Sequence, residues 1–395
     1  MKIDLYAIMT LRKYLKETPA IVFLYNLFID FSCALFRLLP LQRKIVFDNF
    51  GGRGLGDDPK YILKQMIKDG IKVRYIWLVN DFSIEVPREV AKVKYGSLQA
   101  YYHYATAKIW VDNVKFVPKP RKRKGQFYLQ TWHAFFSIKK IEQDTESTLP
   151  YDYIKASKED SSKTDLMYAN NNFHLDLFKK AFWYDGNIIK SDIPHLSVLF
   201  NSPQYLKKQI YSKYNIPQNK KIILYAPTFR KSFDINVFKW NYSAIHKAFE
   251  KKYHNEFVFC LKFHPNIAEK ASLISSDFIY NVSNYPDPAE LVSVSDILIT
   301  DLSSISFTMA IKGGPVFLFM KDFDEYKRND RTQYFSANEL PFPFAQTEDE
   351  LVKNIEQFDD VLYKRKLCDF FEKIGLIESG KGAIIISNIL KEKLI

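Results

Sequence analysis

Cysteine is scarce in this chain: only Cys33, Cys260 and Cys368 occur among 395 residues, and no two of them form a CxxC pair. This scarcity argues against a disulfide framework and a structural zinc site, and it fits a reducing compartment. The chain also lacks internal repeats and low-complexity tracts. No cleavable signal peptide is predicted, because the start of the chain is charged and no clean apolar core with a small-residue cleavage site follows.

Size and composition indicate a folded protein with more than one domain. A chain of 395 residues exceeds one ordinary core, so two domains of roughly 150 to 200 residues are expected. The hydrophobic fraction of 47% and the charged fraction of 26% are typical of a globular protein. The formal net charge of +12 indicates an anionic partner, which nucleic acid, a phospholipid surface or a phosphorylated substrate would each satisfy.

The stretch from Ala20 to Pro40 is apolar and long enough to cross a bilayer, but Asn26, Asp30 and Arg37 lie inside it. It can be a transmembrane helix, a helix on the membrane surface or a helix packed within the protein. Because charges inside a membrane span are costly, the last two alternatives are favoured over the first.

A basic run from Lys115 to Lys124 has six positive residues and two prolines. The prolines disfavour a helix or a central strand, so an exposed loop is predicted. Such a loop is either simply solvated or in contact with anionic lipid headgroups. Nucleic acid is not predicted as a partner, because no recognised motif or stacking platform accompanies the run.

Strand and helix patterns alternate in two blocks. Short β-branched and aromatic runs separated by amphipathic helices predict an α/β fold with parallel sheets covered on both faces, in two Rossmann-like domains. The predicted domains are an apolar, membrane-associated or packed segment (1–40), a first Rossmann-like domain that binds the acceptor (41–200) and a second that binds the nucleotide donor (201–395). The junction is predicted within Ser191 to Lys220, which is rich in Pro, Ser, Asn and Lys.

Three predicted strands lead directly into reactive side chains. His133 follows QFYLQTW, His264 follows FVFCLKF, and Asp301, Ser303 and Ser304 follow DILIT. Because the carboxyl ends of parallel strands share one edge, beside which ligands bind, these residues predict one phosphate-handling site.

Each of these residues has a functional and a simpler explanation. A neutral histidine at a strand end can take a proton from an attacking hydroxyl, or it can merely bond a neighbouring loop. Arg230, after the strand that ends before Pro227, can present its guanidinium to phosphate oxygens or lie plainly on the surface. The turn from Thr300 to Ser304 offers hydroxyl and backbone N–H groups to an anion, or it is an ordinary helix N-cap.

Five ordered segments carry a family resemblance: FDNFGGRGLGDDPKYI (Phe47 to Ile62), QTWHAFFSIKKI (Gln130 to Ile141), ILYAPTFR (Ile223 to Arg230), KFHP (Lys262 to Pro265) and YPDPAELVSVSDILITDLSS (Tyr285 to Ser304). Together with PVFLFMKDFDEY and DRTQYF, they resemble the CDP-glycerol glycerophosphotransferase family of teichoic-acid and capsule synthesis. The resemblance covers roughly Lys44 to Phe335.

The resemblance implies a GT-B type transferase, in which two Rossmann-like domains face each other across a cleft. It implies that His133 is the base that deprotonates the acceptor and that His264 is a second catalytic histidine. The implied residues that bind the donor phosphate and nucleotide are Arg230, Asp287, Glu290, Thr300, Asp301, Ser303, Ser304 and Arg331.

The expected reaction moves a polyol phosphate, glycerol phosphate above all, from a CDP-activated donor to a hydroxyl of a membrane-linked glycan or teichoic-acid acceptor, and releases CMP. The expected location is the cytoplasmic face of the bacterial cell membrane, as a peripheral protein. No cofactor is expected; Asp322, Asp324 and Glu325 could bind Mg²⁺, but a solvated acidic loop explains them better. The alternatives are a GT-B glycosyltransferase with a nucleotide-sugar donor and a non-catalytic membrane-surface binding protein.

The chain departs from the family pattern at three positions. Ala134 replaces a glycine, Phe135 a threonine and Leu302 a tyrosine, which suggests retained phosphoryl chemistry with a changed donor or acceptor. The short region before the first motif favours a primase or single-addition enzyme over a polymerase.

Overall fold

The computed structural model describes residues 19–115, 119–201, 204–228, 230, 236–325 and 332–395, with the backbone alone for 19–26 and 265–266. The elements up to the first sheet's end are α1 (Pro19–Phe36), β1 (Gln42–Phe47), α2 (Asp57–Lys68), β2 (Arg74–Val79), β3 (Val90–Lys94), α3 (Leu98–Thr106), β4 (Ala107–Asp112), β5 (Phe127–Gln130), α4 (Tyr151–Lys163), β6 (Leu166–Ala169), α5 (Asn172–Ala181) and β7 (Asn187–Lys190). A 3₁₀ segment covers Glu142–Thr148.

The remaining elements are α6 (Ser197–Phe200), α7 (Gln204–Lys213), β8 (Lys221–Tyr225), α8 (Tyr242–Tyr253), β9 (Phe257–Leu261), β10 (Ile279–Asn281), α9 (Pro288–Val294), β11 (Ile297–Thr300), α10 (Ile305–Lys312), β12 (Val316–Phe319), β13 (Phe344–Ala345), α11 (Glu348–Glu356), α12 (Asp360–Lys373) and α13 (Gly382–Lys393). Shorter 3₁₀ segments cover Pro194–Leu196, Asn236–Phe238, Pro265–Leu273 and Ala337–Glu339.

Two parallel sheets organise the chain. The first has the strand order β3-β2-β1-β4-β5-β6-β7, and the second has the order β10-β9-β8-β11-β12-β13. All described strand pairs in both sheets are parallel. The prediction of an α/β fold with parallel sheets is therefore confirmed.

The strand order reverses between β1 and β4 in the first sheet and between β8 and β11 in the second. At such a switch point the connections leave in opposite directions and open a crevice at the carboxyl ends of the strands. Each sheet therefore has its own crevice, and the candidate residues follow β1, β4 and β5 in one sheet and β8, β9 and β11 in the other.

Segments that follow strands of the two sheets contact each other directly. The ring centroids of Phe136 and Phe307 lie 3.9 Å apart, and the backbone N–H of Lys140 donates to the carbonyl oxygen of Thr332 at 2.8 Å. One continuous hydrophobic core includes residues of both sheets. This packing fixes the two crevices relative to each other.

The last helix returns to the first sheet. Ser387, on α13, donates to the carboxylate of Asp69 at the end of α2 (3.2 Å), and Lys108 of β4 donates to the carbonyl oxygens of Leu394 and Ile395. The domain limits stay a prediction. They place α13 in the same domain as the second sheet, whereas in the structure this helix packs on the side of the first sheet. Helices α6 and α7 occupy the segment predicted to be an irregular junction.

Helix α1 lies against the first sheet's helix layer with one face and exposes apolar side chains on the other. Phe36 meets Tyr102 of α3 edge-on, with ring centroids 5.5 Å apart, and Ile29 and Cys33 are buried. The large exposed side chains of this region are Leu27, Phe28, Phe31, Leu35, Leu38 and Leu39. Among the described helices, none combines the length and the apolar character that a membrane crossing requires.

The basic run is only partly an exposed loop, which corrects the prediction for Lys115 and Lys119. Both side chains are buried. The ammonium group of Lys119 lies 2.8 Å from a carboxylate oxygen of Asp112 and 2.7 Å from one of Asp160. These two carboxylates offset the free-energy cost of burying the charge of Lys119. One of them, Asp160 on α4, lies 41 residues after Lys119 in the sequence. Residues 116–118 lie outside the described part.

Candidate active site

His133 lies at the carboxyl edge of the first sheet, three residues after β5. Its ring is exposed, and its Nδ1 atom lies 3.1 Å from the carbonyl oxygen of Asn113, which follows the neighbouring strand β4. The aromatic ring of Phe50, which follows β1, lies 5.4 Å from the imidazole, centroid to centroid. Three adjacent strand ends therefore position one exposed histidine.

A glycine-rich loop follows β1 and borders His133. The backbone is left-handed at Phe50, Gly51, Gly52 and Gly54, a conformation that glycine adopts without steric cost. At Gly52 an added Cβ would lie 2.8 Å from the Cβ of Tyr95, so a larger residue would displace the loop. The backbone N–H of Gly52 donates to Asp48 at 2.7 Å.

His264 follows β9 at the edge of the second sheet, and its side chain is exposed. Burial, and then the positive charges of Lys262 and Arg53, lower the pKa of His264, so the imidazole is neutral at pH 7 and can accept or share a proton. Because Arg53 belongs to the glycine-rich loop after β1, its effect on His264 links the edges of the two sheets.

The turn after β11 is held by an ion-pair network around Asp301. This buried carboxylate accepts hydrogen bonds from the backbone N–H of Thr228 and the guanidinium of Arg230, both at 2.8 Å. Arg230 also pairs with Asp322 at 2.6 Å. Thr300 donates its hydroxyl proton to the carbonyl oxygen of Ala226. The geometry supports a positioning role for Arg230 and Asp301, while their predicted contact with donor phosphate stays a prediction.

Ser303 and Ser304 stand at the start of α10. Ser304 is the N-cap residue, and its hydroxyl makes no capping hydrogen bond to that helix. Both side chains are half-buried. The hydroxyls and the first backbone N–H groups of the helix are the type of donors that bind an anion at a helix N-terminus.

Asp287 and Glu290 bind a lysine of the first sheet's side. The ammonium group of Lys60, on α2, lies 2.6 Å from a carboxylate oxygen of each. Asp287 also caps α9 by accepting from the backbone N–H groups of Ala289 and Glu290. Their predicted contact with the donor is untested, and in this structure they connect the two sheets.

His195, in the 3₁₀ segment after β7, forms a buried contact with the start of α2. Its Nδ1 atom lies 2.7 Å from a carboxylate oxygen of Asp58 and 3.3 Å from one of Asp57. Burial alone would lower the pKa of His195, but Asp58, and then Asp57 and Asp287, raise it to about 9. These groups lie close enough to hold a cation, but a cation would have to displace the proton from His195, which weakens its binding at neutral pH.

This contact predicts a pH-dependent loss of stability. The pKa of His195 is about 9 in the folded protein and about 6.5 in the unfolded chain. The stabilisation of the fold by protonated His195 is therefore complete below pH 6.5 and disappears as the pH rises through 9. Urea unfolding at pH 6.5 and at pH 9.5 measures how much unfolding free energy each protein loses over this range. The loss should be about 2 kcal/mol larger for the wild type than for His195→Gln. The control His254→Asn, at an exposed histidine elsewhere, should keep the wild-type dependence. Equal losses for the wild type and His195→Gln would contradict the assignment.

The three departures from the family pattern lie differently in the structure. Phe135 and Leu302 are buried, and the carbonyl oxygen of Phe135 accepts a hydrogen bond from Asn171 at 3.1 Å. Only Ala134 is half-exposed beside His133. Two of the three substitutions therefore alter packing behind the site.

Arg331, predicted to contact the donor, lies outside the described residues. Asp322 pairs with Arg230, whereas Asp324 and Glu325 are exposed.

Sequence reasoning missed Asn113, Phe50 and Arg53. The signal for Asn113 was present, because Asn113 also follows directly after an apolar strand. Phe50 and Arg53 gave no separate signal, since neither an aromatic nor an arginine in a glycine-rich loop indicates what it faces.

Comparisons with known proteins cover nearly the whole chain. A sequence profile described as CDP-Glycerol:Poly(glycerophosphate) glycerophosphotransferase matches residues 32–390. A teichoic acid poly(glycerol phosphate) polymerase of Staphylococcus epidermidis is 31% identical over 368 residues, which are 89% of this chain and 51% of the relative. A teichoic acid glycerol-phosphate transferase of Staphylococcus aureus is 27% identical over 87% of this chain and 92% of its own length.

Solved structures of the wall teichoic acid polymerase TagF have the same fold. One of them, a histidine-to-asparagine variant soaked with CDPG, superimposes with a TM-score of 0.80 at 28% identity and covers 98% of both chains. The present chain spans about half the length of the Staphylococcus epidermidis polymerase.

Proposed function

Because the chain belongs to the CDP-glycerol:poly(glycerophosphate) glycerophosphotransferase family, we propose that it transfers a polyol phosphate from a CDP-activated donor to a hydroxyl group of a teichoic-acid or lipid-linked saccharide acceptor. Glycerol phosphate is the proposed group, in keeping with the family description. The observation that carries the proposal is the position of His133 and His264 at the carboxyl edges of two parallel sheets, each beside a switch point.

In the proposed reaction, the acceptor oxygen attacks the phosphorus that bears the polyol. The hydroxyl proton goes to His133, a new phosphodiester bond forms, and the bond from that phosphorus to the bridging oxygen breaks, so that CMP leaves with the bonding electrons. Such transfer depends mainly on positioning and on stabilising the negative charge. His264, Ser303, Ser304 and the N-terminus of α10 supply fixed donors for that charge, without a metal ion.

The proposal takes the two sheets as the halves of a GT-B type arrangement. The acceptor enters on the side of His133, and the nucleotide binds on the side of β8, β9 and β11. This division is supported by the half-buried serines and the neutral His264 on the second edge. Lys60 of the first half pairs with Asp287 and Glu290 of the second and so holds the two halves together.

A donor screen tests the function. The full chain is incubated with CDP-glycerol, CDP-ribitol or common nucleotide sugars, together with a lipid-linked saccharide acceptor, and the products are measured by mass spectrometry. We expect CMP release and an acceptor mass increased by one or more glycerol phosphate units. Release of a nucleoside diphosphate from a sugar donor would indicate the glycosyltransferase instead. No turnover on any donor, with liposome binding that survives loss of both histidines, would indicate a binding protein.

Peripheral attachment to an anionic membrane surface completes the proposal. The exposed apolar face of α1 lies beside a cavity of about 580 Å³ lined by Arg37, Arg121, Lys122, Arg123 and Lys124, with Ala34 and Leu38. Apolar side chains enter the headgroup region while basic residues meet lipid phosphates, each contributing about 1 kcal/mol. The proposed location is the cytoplasmic face of the membrane, where the lipid-linked acceptor is reached.

Replacing one exposed phenylalanine tests the attachment. Phe31, 63% exposed on α1, changed to aspartate should weaken binding to vesicles with anionic lipid by about tenfold or more, because it adds a charge where the apolar face enters. Co-sedimentation measures the bound fraction. Phe82→Asp, at a phenylalanine 54% exposed after β2, is the matched control and should bind as the wild type does. Equal loss in both variants would remove α1 from the contact.

A further inference from the structure

Asn113 connects His133 to two neighbouring segments of the first sheet's edge. The residue is fully buried and follows β4 directly. Its backbone carbonyl oxygen lies 3.1 Å from Nδ1 of His133, and its side chain faces the glycine-rich loop that follows β1. A buried amide in this position has to satisfy all its polar atoms within the protein.

The carbonyl contact determines which nitrogen of His133 carries the proton. A carbonyl oxygen only accepts hydrogen bonds, so Nδ1 must be the protonated nitrogen of the neutral ring. The basic lone pair is then on Nε2, the atom on the opposite side of the imidazole. A base that uses Nε2 needs this tautomer before the substrate arrives.

The side chain of Asn113 fixes the surroundings of the same ring. Its Oδ1 atom accepts from the backbone N–H of Phe50 at 2.8 Å, and Phe50 packs against the imidazole. Its Nδ2 atom donates to Asn49 at 2.9 Å and to Asp57 at 2.7 Å. Three of its hydrogen bonds therefore hold the loop that borders His133 and the start of α2.

We infer that Asn113 is the positioning residue of the proposed base: its carbonyl oxygen fixes the Nδ1–H tautomer of His133 so that Nε2 receives the proton of the acceptor hydroxyl. Its amide group holds Phe50 against the ring and so keeps the imidazole in one orientation. The inference rests on the proposed function for the identity of the hydroxyl, but the tautomer itself is independent of the substrate.

Nitrogen NMR of the wild-type chain tests the tautomer directly. The chain has seven histidines, and the signals of His133 are assigned by their disappearance in His133→Gln. In the full-length ¹⁵N-histidine-labelled protein, with the ring neutral, we expect a protonated Nδ1 and an unprotonated Nε2. A protonated Nε2 would overturn the inference, whether or not a donor has been identified.

Asn113→Ala tests the positioning role. We expect kcat to fall about tenfold or more while the KM for the donor changes by less than about twofold, because Phe50 no longer holds the ring in one orientation. The backbone carbonyl oxygen at position 113 remains in this variant, so the His133 signals should shift while Nδ1 stays the protonated nitrogen. Asn170→Ala is the matched control, since Asn170 is equally buried but bonds Glu378; it should retain the kcat and the wild-type His133 signals.

Equal kinetics and an unchanged His133 spectrum in the two asparagine variants would refute the positioning role. If Asn113→Ala does not fold, the wild-type spectrum alone decides the tautomer. If the wild type turns over no CDP-polyol, the proposed function fails. The spectrum still shows whether Nδ1 of His133 is protonated, as its hydrogen bond to the carbonyl oxygen of Asn113 requires.

Discussion

His133→Ala is expected to lower turnover of the CDP-polyol by about a hundredfold or more, because a positioned general base typically contributes 10² to 10⁴-fold. The imidazole is exposed and contacts Phe50 and the carbonyl oxygen of Asn113, so its removal deletes the base and little packing. The free energy of unfolding should change by less than about 0.5 kcal/mol. Rates of CMP release, measured with saturating donor and acceptor, give the loss.

Two controls separate the loss of a base from a general disturbance. His254→Asn changes an exposed histidine with a left-handed backbone, φ 51°, at the end of α8; asparagine tolerates that backbone, and activity should be unchanged. Free imidazole should partly restore turnover in His133→Ala, because a small base can occupy the vacated space. Turnover within about tenfold of the wild type would remove His133 from the base role.

The central strands could be predicted from the sequence because they are short, apolar and β-branched or aromatic. The runs KIVF, RYIWLV, KIILY and ILIT all lie in the structure where the pattern predicts them. Strands β3 (VAKVK), β6 (LMYA) and β7 (NIIK) were missed. Two of these form the edges of the first sheet, where one side of the strand has no partner and the apolar signal is weak.

The rule that carboxyl ends of parallel strands share an edge predicts the position of each residue along its own sheet. His133 lies at the edge of the first sheet, and His264 and Asp301 lie at the edge of the second. Their action in one shared site stays a prediction. The partners of these residues could not be predicted in this way. Nothing in the local sequence shows that Asp322 pairs with Arg230, which lies 92 residues before it.

The basic run shows why charge alone misleads. Lysine is almost never fully buried unless it is paired, so six positive residues beside two prolines predict an exposed loop. Lys119 departs from the rule because Asp112 and Asp160 meet it inside the protein. The pairing depends on Asp160 of α4 reaching Lys119, a tertiary contact that has no local signal.

Lys119→Met is expected to cost about 3 to 5 kcal/mol of unfolding free energy, because removal of one partner leaves buried carboxylates without a counter-charge. Methionine nearly matches the volume of the lysine stem, so the loss is mainly electrostatic. Both carboxylates are buried, and burial already raises the pKa of Asp112 and of Asp48 beside it. Urea unfolding of the wild type and the variant at pH 7 measures the difference.

The sign of the pH dependence separates a lost charge from lost packing. Without Lys119 the pKa of Asp112 rises further, so the carboxyl group binds its proton in the fold, and the cost to stability shrinks as the pH falls from 7 to 5. A packing defect would give the same loss at both pH values.

Lys122→Met is the control on the same loop: its pair with Asp165 is partly exposed, so the loss of unfolding free energy should be below about 1 kcal/mol. Since Asp112 precedes Asn113, Lys119→Met should also disturb His133. The kcat of Lys119→Met should therefore fall by more than the fraction of the variant that is unfolded at the assay temperature.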